Sequence, residues 1–349
     1  MNRLLLLGTG GIAGTHVEDF AKIPECEIVA CVDLVPGKAE AFAARHKIAQ
    51  HFESLEAAIA WDGFDAAINA TPDGAHKATT LAILAAGKHV FCEKPLAPNH
   101  ADALAMTEAA EAAGVVNMVN LTYRNSPALQ QARAMVEAGE IGELRHVEAA
   151  YRQSWLVSKA WGDWRTMDQW LWRLSTGHGS TGVLGDVGIH ILDFASFGAA
   201  DDLASLQAEL VTFPKADGER IGDYVLDAND SVAMTARFRK GALATIVATR
   251  YATGHTNDLS LTLHGTLGAL RVETDGQASR LSASLGADVE PARWRELAPP
   301  PVPRNARRFA DALGSGVKGD PTFRRAADMQ RLIDAAFESA ASGCRIAID

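Results

Sequence analysis

Short apolar runs alternate with longer amphipathic stretches through the first third of the chain. In the longer stretches apolar residues recur at three- and four-residue spacing, as at Ala78, Leu81, Ala82 and Ala85. This alternation predicts strand and helix in turn, and hence a parallel sheet with helices on both faces. The predicted strands are residues 4–7, 28–32, 66–69, 89–92 and 115–119, and the predicted helices are residues 15–23, 37–46, 75–86 and 100–113.

Beyond residue 122 the pattern changes to longer runs of β-forming residues joined by short turns. Consecutive strands with short turns favour an open, mostly antiparallel sheet. A proline-rich linker at residues 299–303 precedes the last predicted elements. The predicted strands here are residues 144–152, 232–238, 243–250, 259–263 and 269–273, and the predicted helices are residues 126–138, 304–313 and 323–341.

Length, charge and cysteine content narrow the class of protein. The 349 residues fit roughly two domains. We place the first, with the parallel sheet, at residues 1–122 and the second, an α+β domain, at residues 123–349. The formal net charge of −10 disfavours nucleic acid and anionic membranes as partners, and no apolar run is long enough to span a bilayer. The cysteines form no C-x-x-C pair, so we expect no metal site or disulfide framework and a cytoplasmic location.

A glycine-rich turn follows the first predicted strand directly. The sequence Gly8-Thr9-Gly10-Gly11-Ile12-Ala13 fits G-x-G-x-x-[G/A] at a strand-to-helix junction. Gly8 permits the tight turn, Gly10 leaves room for a pyrophosphate, and Ala13 lets the helix pack closely on the strand. This turn therefore predicts a dinucleotide site at a helix N-terminus, formed by Gly8, Gly10, Gly11, Ile12 and Ala13.

Asp33 ends the second predicted strand about twenty residues after the turn, where an acid binds the adenosine ribose. A carboxylate there repels a 2′-phosphate, so we predict NAD in preference to NADP. No arginine follows within the next few residues, although Lys38 is close enough along the chain to reach the same place.

Three further motifs complete a recognisable pattern. Residues 71–76 read Thr-Pro-Asp-Gly-Ala-His, residues 93–96 read Glu-Lys-Pro-Leu, and residues 186–193 read Asp-Val-Gly-Ile-His-Ile-Leu-Asp. With the N-terminal turn, their order and spacing resemble the glucose–fructose oxidoreductase / inositol dehydrogenase / rhizopine catabolism family, Gfo/Idh/MocA, over nearly the whole chain. The resemblance implies an α/β protein with an N-terminal Rossmann domain, a doubly wound parallel sheet. It also implies a second domain whose open sheet forms the interface of a homodimer or homotetramer.

The resemblance also implies a reaction and its residues. Family members mostly oxidise or reduce a hydroxyl or carbonyl on a sugar, inositol or related polyol, with Lys94 as catalytic lysine, Asp186 as carboxylate and His190 as general acid/base. The chemistry agrees, because an imidazole is the natural acceptor for a hydroxyl proton and an ammonium stabilises an alkoxide. Asp186, His190 and Asp193 are spaced to share one helical face, so either acid suits the orientation of the imidazole. Taken alone, His190 also fits a core histidine, and Lys94 an exposed lysine before a turn proline.

The remaining site candidates come from the motifs and from a tryptophan-rich segment. His76 fits the cofactor site and a helix cap equally well. Five tryptophans fall between residues 155 and 172, and they suit either a sugar-binding loop or a packed or intersubunit loop. We assign Thr71, Pro72, His76, Glu93 and Lys94 to the cofactor site, and Tyr123, Arg124, Trp164, Trp172, Asp186 and His190 to substrate binding.

Three functions are compatible with this pattern. The first is an NAD(P)-dependent sugar or polyol dehydrogenase or reductase. The second is a glycoside hydrolase that uses tightly held NAD to oxidise, eliminate and re-reduce. The third is a sugar sensor that binds a dinucleotide without turnover, which the presence of Lys94, Asp186 and His190 disfavours.

Overall fold

The computed structural model describes residues 1–275 and 278–348 of the chain. The strands are β1 (Asn2–Leu7), β2 (Cys26–Val32), β3 (Gln50–Phe52), β4 (Ala66–Asn69), β5 (His89–Cys92), β6 (Asn117–Val119), β7 (Leu144–Gln153), β8 (Leu203–Val211), β9 (Arg220–Ile221), β10 (Tyr224–Val225), β11 (Ser231–Phe238), β12 (Leu243–Thr249), β13 (Asn257–Gly265), β14 (Gly268–Thr274), β15 (Ser279–Leu285), β16 (Arg295–Leu297) and β17 (Ile346–Ala347). The helices are α1 (Ala13–Phe20), α2 (Lys38–His46), α3 (Leu55–Trp61), α4 (His76–Ala85), α5 (His100–Ala113), α6 (Pro127–Glu137), α7 (Asp168–Leu171), α8 (Ile189–Gly198), α9 (Asn305–Ser315) and α10 (Phe323–Ser342).

The chain forms two compact units. The first comprises Met1–Thr122 and Pro303–Gln330, and the second comprises Tyr123–Val302 and the segment from Arg331 onward. The sequence analysis assigned everything after residue 122 to the second domain, whereas residues 303–330 pack with the first unit. The physical reason is α9, whose Phe309 is fully buried with its ring centroid 6.4 Å from that of Phe20 and 5.3 Å from that of Phe91.

The first unit is built on a parallel sheet in the order β3-β2-β1-β4-β5-β6. Its central strand β1 carries a buried run of leucines. Such continuous apolar strands are typical of parallel sheets, in which helices cover both faces. The strand registers place Leu7 beside Val32 and Asn69, and Asn69 beside Cys92. The carboxyl ends of these strands therefore lie together at one edge, where open α/β sheets bind their ligands. The predicted doubly wound parallel sheet is confirmed.

The second unit is built on an open sheet in the order β16-β15-β14-β13-β7-β12-β11-β8-β17. Its strands are antiparallel apart from the parallel pair β7 and β12, which confirms the predicted mostly antiparallel sheet. Helix α8 packs on β7, β12 and β13, and α6 packs on β14 and β15. Over the described residues, no helix combines the length and apolar character required to cross a bilayer.

Candidate active site

The glycine-rich turn forms a cradle at the start of α1. Gly8 has φ of +87°, and a Cβ there would lie 2.6 Å from the carbonyl oxygen of Ala70, so only glycine fits. A Cβ on Gly10 would meet no described atom within 4 Å, which leaves open space beside the turn. Gly11 and Ile12 are exposed at the same place, whereas Ala13 is buried where the helix begins. Free N–H groups at a helix start next to open space fit a phosphate.

Asp33 follows β2 and is held by the turn itself. Its Oδ2 accepts hydrogen bonds from the backbone N (3.0 Å) and Oγ1 (2.6 Å) of Thr9, and its Oδ1 accepts one from the backbone N of Val35 (3.1 Å). The Nζ of Lys38 lies 2.8 Å from Oδ2. Burial raises the pKa of the Asp33 carboxyl, but these hydrogen bonds outweigh burial and lower the pKa to about 2. The ionised carboxylate keeps acceptor capacity for ribose hydroxyls, so the cradle and Asp33 together fit a dinucleotide.

The loop after β4 carries two of the predicted cofactor residues. The backbone N and Oγ1 of Thr71 donate to Oδ1 of Asn69, at 3.3 and 2.7 Å. Asn69 is fully buried and is itself fixed, because its Nδ2 donates to Oγ1 of Thr80 at 3.0 Å. This network shapes the loop, leaving Thr71 half-buried and Pro72 exposed.

The structure places His76 inside the first unit, which corrects its assignment as a cofactor ligand. The side chain has no solvent exposure, and its ring nitrogens lie 2.8 Å from the carbonyl oxygen of Pro95 (Nδ1) and 2.9 Å from that of Thr71 (Nε2). Burial lowers the pKa of the imidazole, but contacts with Cys92, the Pro95 carbonyl and Asp73 raise it to about 10. A ring facing two carbonyls donates from both nitrogens when it is charged. His76 therefore ties the loop after β4 to the loop after β5, which carries Lys94.

Glu93 and Lys94 come directly after β5 and are both half-buried. Glu93 Oε1 lies 2.9 Å from Nε2 of His16 and accepts a hydrogen bond from Nδ2 of Asn120 at 2.7 Å. Burial raises the pKa of this carboxyl, but His16 and Asn120 outweigh burial and lower it below its ordinary value. Glu93 is thus an anion built into the carboxyl edge of the first sheet, next to Lys94.

In the second unit, Asp186 lies on a π-helical segment, Leu184–Gly188, that runs directly into α8. The sequence analysis expected regular α-helical spacing between Asp186 and His190, whereas the π-helical turn is wider. Asn229 caps the segment, because its Oδ1 accepts from the backbone N of Leu184 and its Nδ2 donates to the carbonyl of Thr181. A Cβ on Gly185 would lie 1.7 Å from Oγ1 of Thr181, so the segment is tightly packed.

His190 is buried against two tyrosines. Its ring centroid lies 5.1 Å from that of Tyr123 in an edge-to-face arrangement and 6.3 Å from that of Tyr151. The two tyrosine hydroxyls are 2.7 Å apart, and Asn257 bonds to both. Burial raises the pKa of both phenols, so they stay protonated beside the imidazole at neutral pH. Tyr123 is half-buried and keeps its place as a substrate candidate.

Arg124 and Asp193 form a buried ion pair, which corrects the assignment of Arg124 to substrate binding. Nε and Nη2 of Arg124 lie 2.6 and 2.7 Å from the two carboxylate oxygens of Asp193, and Arg124 is only 2% exposed. Its guanidinium also stacks over the ring of Phe197. Both carboxylate oxygens of Asp193 accept a hydrogen bond from Arg124, so this acid anchors the guanidinium inside the second unit.

The tryptophan-rich segment is largely a small hydrophobic core, as the packed-loop alternative predicted. Trp164 is 2% exposed and its Nε1 donates to the carbonyl of Leu156, so it is not available to a substrate. Trp161 and Trp170 stack with ring centroids 5.9 Å apart. Trp172 is half-buried under the guanidinium of Arg173 and stays a substrate candidate.

Arg250 is the main site residue that the sequence analysis missed. It lies just beyond β12 and places its Nη2 3.1 Å from Oδ2 of Asp186. A signal was present, because the buried positions of β12 alternate through Ala244, Ile246 and Ala248, and Arg250 is the next in phase. A charged residue at an inward position of an alternating strand needs a buried partner.

Comparisons with known proteins agree with this architecture. Residues 2–121 match the family described as oxidoreductase family, NAD-binding Rossmann fold, and residues 129–271 match the GFO/IDH/MocA C-terminal domain. Levoglucosan dehydrogenase from Pseudarthrobacter phenanthrenivorans is 28% identical, over 78% of this chain and 77% of that protein. The 1,5-anhydro-D-fructose reductase from Ensifer adhaerens is 30% identical, over 77% and 75% respectively. A structure of levoglucosan dehydrogenase in complex with NADH is 25% identical with a TM-score of 0.87, and the match covers 100% of this chain and 99% of that one.

Proposed function

Because this chain belongs to the Gfo/Idh/MocA family of NAD-binding oxidoreductases, we propose that it transfers a hydride between nicotinamide and a secondary hydroxyl or carbonyl of a sugar, inositol or related polyol. The observation that carries the proposal is the similarity to two relatives over most of their length. One is named for a dehydrogenase reaction and the other for a reductase reaction on a sugar. The open cradle at Gly10 and the ionised Asp33 support NAD as the cofactor.

The cofactor, when bound, supplies the hydride acceptor, and the chain supplies the proton chemistry. In the oxidation direction His190 removes the proton of the reacting hydroxyl. Asp186 orients the imidazole and stabilises the imidazolium that forms, as an acid does for the base in other base-and-orienter pairs. Lys94 donates to the same oxygen and stabilises its developing negative charge.

The binding roles follow from exposure and position. Gly8, Gly10, Gly11, Ile12 and Ala13 hold the pyrophosphate, and Asp33 holds the adenosine ribose. Thr71, Pro72, Glu93 and Lys94 border the nicotinamide end, because they lie at the carboxyl edge of the first sheet. Tyr123 and Trp172 contact the sugar. We also propose a cytoplasmic location, which the buried free thiols of Cys26, Cys31 and Cys92 support.

A substrate panel tests the proposal. The purified protein is incubated with sugars, inositols and sugar acids, each with NAD and with NADP, and NADH or NADPH formation is followed by absorbance. We expect steady-state NADH release with at least one compound, and loss of that activity in Lys94→Met, which controls for contaminating dehydrogenases. Hydrolysis of a glycoside without net NADH release favours the glycosidase alternative, and dinucleotide binding without turnover of any compound favours the sensor.

A further inference from the structure

Arg250 is a wholly buried cation with a fixed set of partners in the second unit. Its exposure is 0%, and it is the largest side chain among the fully buried ones described. Nη2 donates to Oδ2 of Asp186 and Nη1 donates to the carbonyl oxygen of Arg173, both at 3.1 Å. The guanidinium carbon lies 4.9 Å from the ring centroid of Trp155. A planar fork held at two points and stacked on an indole has one orientation.

The charges around Arg250 alternate in sign. Burial lowers the pKa of its guanidinium, and the carboxylates of Asp186 and Asp230 oppose that effect. Asp230 is itself buried and lies 2.8 Å from Nζ of Lys215, in an ion pair with side-chain exposures of 0% and 1%. Asp186 is the member of this series that faces outward, because its side chain is 27% exposed. Arg250 therefore joins the buried ion pair to the carboxylate at the site surface.

The backbone beneath Asp186 gives a reason for such an anchor. A π-helical turn is rare in proteins and is frequently found at functional sites. Two guanidinium groups approach the Asp186 carboxylate on this turn: Nε of Arg173 lies 3.6 Å from Oδ2 and Nη2 of Arg250 lies 3.1 Å from it. The Arg173 side chain is 31% exposed, whereas that of Arg250 is wholly buried, so Arg250 is the fixed anchor. Arg250 reaches the carboxylate from β12, which is part of the sheet beneath α8.

We propose that Arg250 is a positioning residue, which holds the Asp186 carboxylate in the one orientation that serves His190. This inference rests on the proposed function, because it assigns Asp186 to the proton-transfer step. Arg250 itself contacts neither cofactor nor substrate in this account and acts through Asp186. The competing interpretation is a buried ion pair that contributes to folding alone.

A double-mutant cycle separates the two interpretations. Arg250→Met, Asp186→Asn and the combined variant are compared with the wild type by single-turnover NADH formation on the best compound of the panel. Arg250→Met should lower the rate about tenfold or more, the usual cost of a misplaced catalytic group. In the Asp186→Asn background the same substitution should change the rate by less than about twofold, because its target is already lost. NAD affinity, measured by fluorescence titration, should be unchanged in all variants.

Lys215→Met is the matched control, since it breaks a buried ion pair one step further from Asp186. It should lower the unfolding temperature, as Arg250→Met should, but leave the single-turnover rate within about twofold of wild type, well short of the loss from a misplaced group. If Arg250→Met does not fold, Arg250→Lys replaces it. A single ammonium cannot hold Asp186 and the Arg173 carbonyl together, so we expect a smaller loss that again vanishes in Asp186→Asn.

The outcomes are distinguishable. Equal losses from Arg250→Met (or Arg250→Lys) with and without Asp186→Asn, or an equal loss from Lys215→Met, overturn the positioning role while the proposed function stands. A wild-type protein that forms no NADH with any compound overturns the proposed function and this inference with it. A loss of rate from Arg250→Met that occurs when Asp186 is present and vanishes in Asp186→Asn supports both the proposed function and the positioning role.

Discussion

At the residue scale, charge state in the first unit is set by partners that the fold brings to the carboxyl edge of the sheet. Asp33 is ionised because Lys38 and the Thr9 side chain and backbone donate to it. The pKa of His76 is raised because Cys92, the Pro95 carbonyl and Asp73 outweigh the effect of burial. The folded structure lowers the pKa of Asp33 and raises that of His76, so the contribution of Asp33 to stability is lost at acid pH and that of His76 at alkaline pH. A separate prediction follows for each residue.

Asp33→Ala should weaken NAD binding by about 1–3 kcal/mol, the range for a hydrogen bond to a charged group. The preference for NAD over NADP should narrow, because the repelling carboxylate is gone and Lys38 is released toward the 2′-phosphate. Binding constants for both dinucleotides measure this. Asp65→Ala, which removes an exposed acid paired with Arg3, should leave both constants unchanged. A wild type that prefers NADP contradicts the role given to Asp33.

His76 should make the stability of the protein depend on alkaline pH. Its folded pKa of about 10 lies above the unfolded value near 6.5, so its contribution is full below about pH 6.5 and is lost as pH rises to about 10. Urea unfolding of His76→Gln should therefore show a smaller decline in stability between pH 7 and 10 than the wild type. Burial lowers the pKa of His89, so His89→Gln should keep the wild-type slope over that range. Parallel slopes for wild type and His76→Gln would show that His76 is neutral in the folded protein.

At the element scale, the π-helical segment and α8 present Asp186 and His190 from one continuous helical stretch. The segment depends on close packing at Gly185 and on the Asn229 cap, both in the second unit. Helix α8 is buried along its whole length against the sheet, so the position of His190 follows that of the sheet. A substitution that disturbs the packing of the π-helical segment should therefore displace Asp186 more than it disturbs the hydrophobic core of the second unit.

Gly185→Ala tests the packing of this segment. The added Cβ would clash with Thr181, so we expect a loss of about 1–3 kcal/mol in unfolding free energy together with lower turnover. Gly314→Ala is the control, because its Cβ in α9 would meet no described atom within 4 Å. That substitution should leave activity unchanged and be neutral or stabilising. Full activity in Gly185→Ala would contradict the dependence of the site on this segment.

The sequence predicts elements well where one periodicity persists, and poorly where tertiary pairing decides. The leucine run of β1 and the alternation in β11 and β12 are strong local signals. Strand β3 has only three residues, which are largely polar and carry no clear strand pattern, and it forms because it pairs with β2. The Arg124–Asp193 pair joins positions 69 residues apart, so no local motif separates it from a substrate contact. The sequence pattern also does not reveal the π-helical turn, because the spacing of its residues differs from that of an α-helix over only a few positions.

At the scale of the whole molecule, the uncovered face of the larger sheet is mixed in character. Its exposed positions on the neighbouring strands β11 and β12 are Ala233, Thr235, Arg237, Leu243 and Thr245. The resemblance described above implies that the open sheet forms the interface between subunits, and small and polar side chains predominate on this face. Interfaces between subunits are often no more apolar than the remaining surface, so this composition is compatible with association.

We therefore keep the homodimer or homotetramer as a prediction with this face as the interface. Light scattering at micromolar concentration should give two or four times the chain mass of 37.1 kDa. Thr245→Arg, at the centre of the face, should lower that mass toward one chain. Ala41→Arg, at an exposed position of α2, should leave the mass unchanged. A monomeric wild type, or an unchanged assembly in Thr245→Arg, contradicts the assigned interface.

The central claim is that this oxidoreductase removes a hydroxyl proton through His190, and single-turnover hydride transfer in His190→Ala tests it most directly. With saturating substrate and NAD, we predict a rate about 10²–10⁴-fold below wild type, the usual contribution of a positioned acid/base group. NAD affinity should barely change, because the cofactor belongs to the first unit. His264→Ala, a half-buried histidine of the same second unit, should keep the wild-type rate. A His190→Ala rate within about threefold of wild type would contradict the account and leave Asp186 as the base.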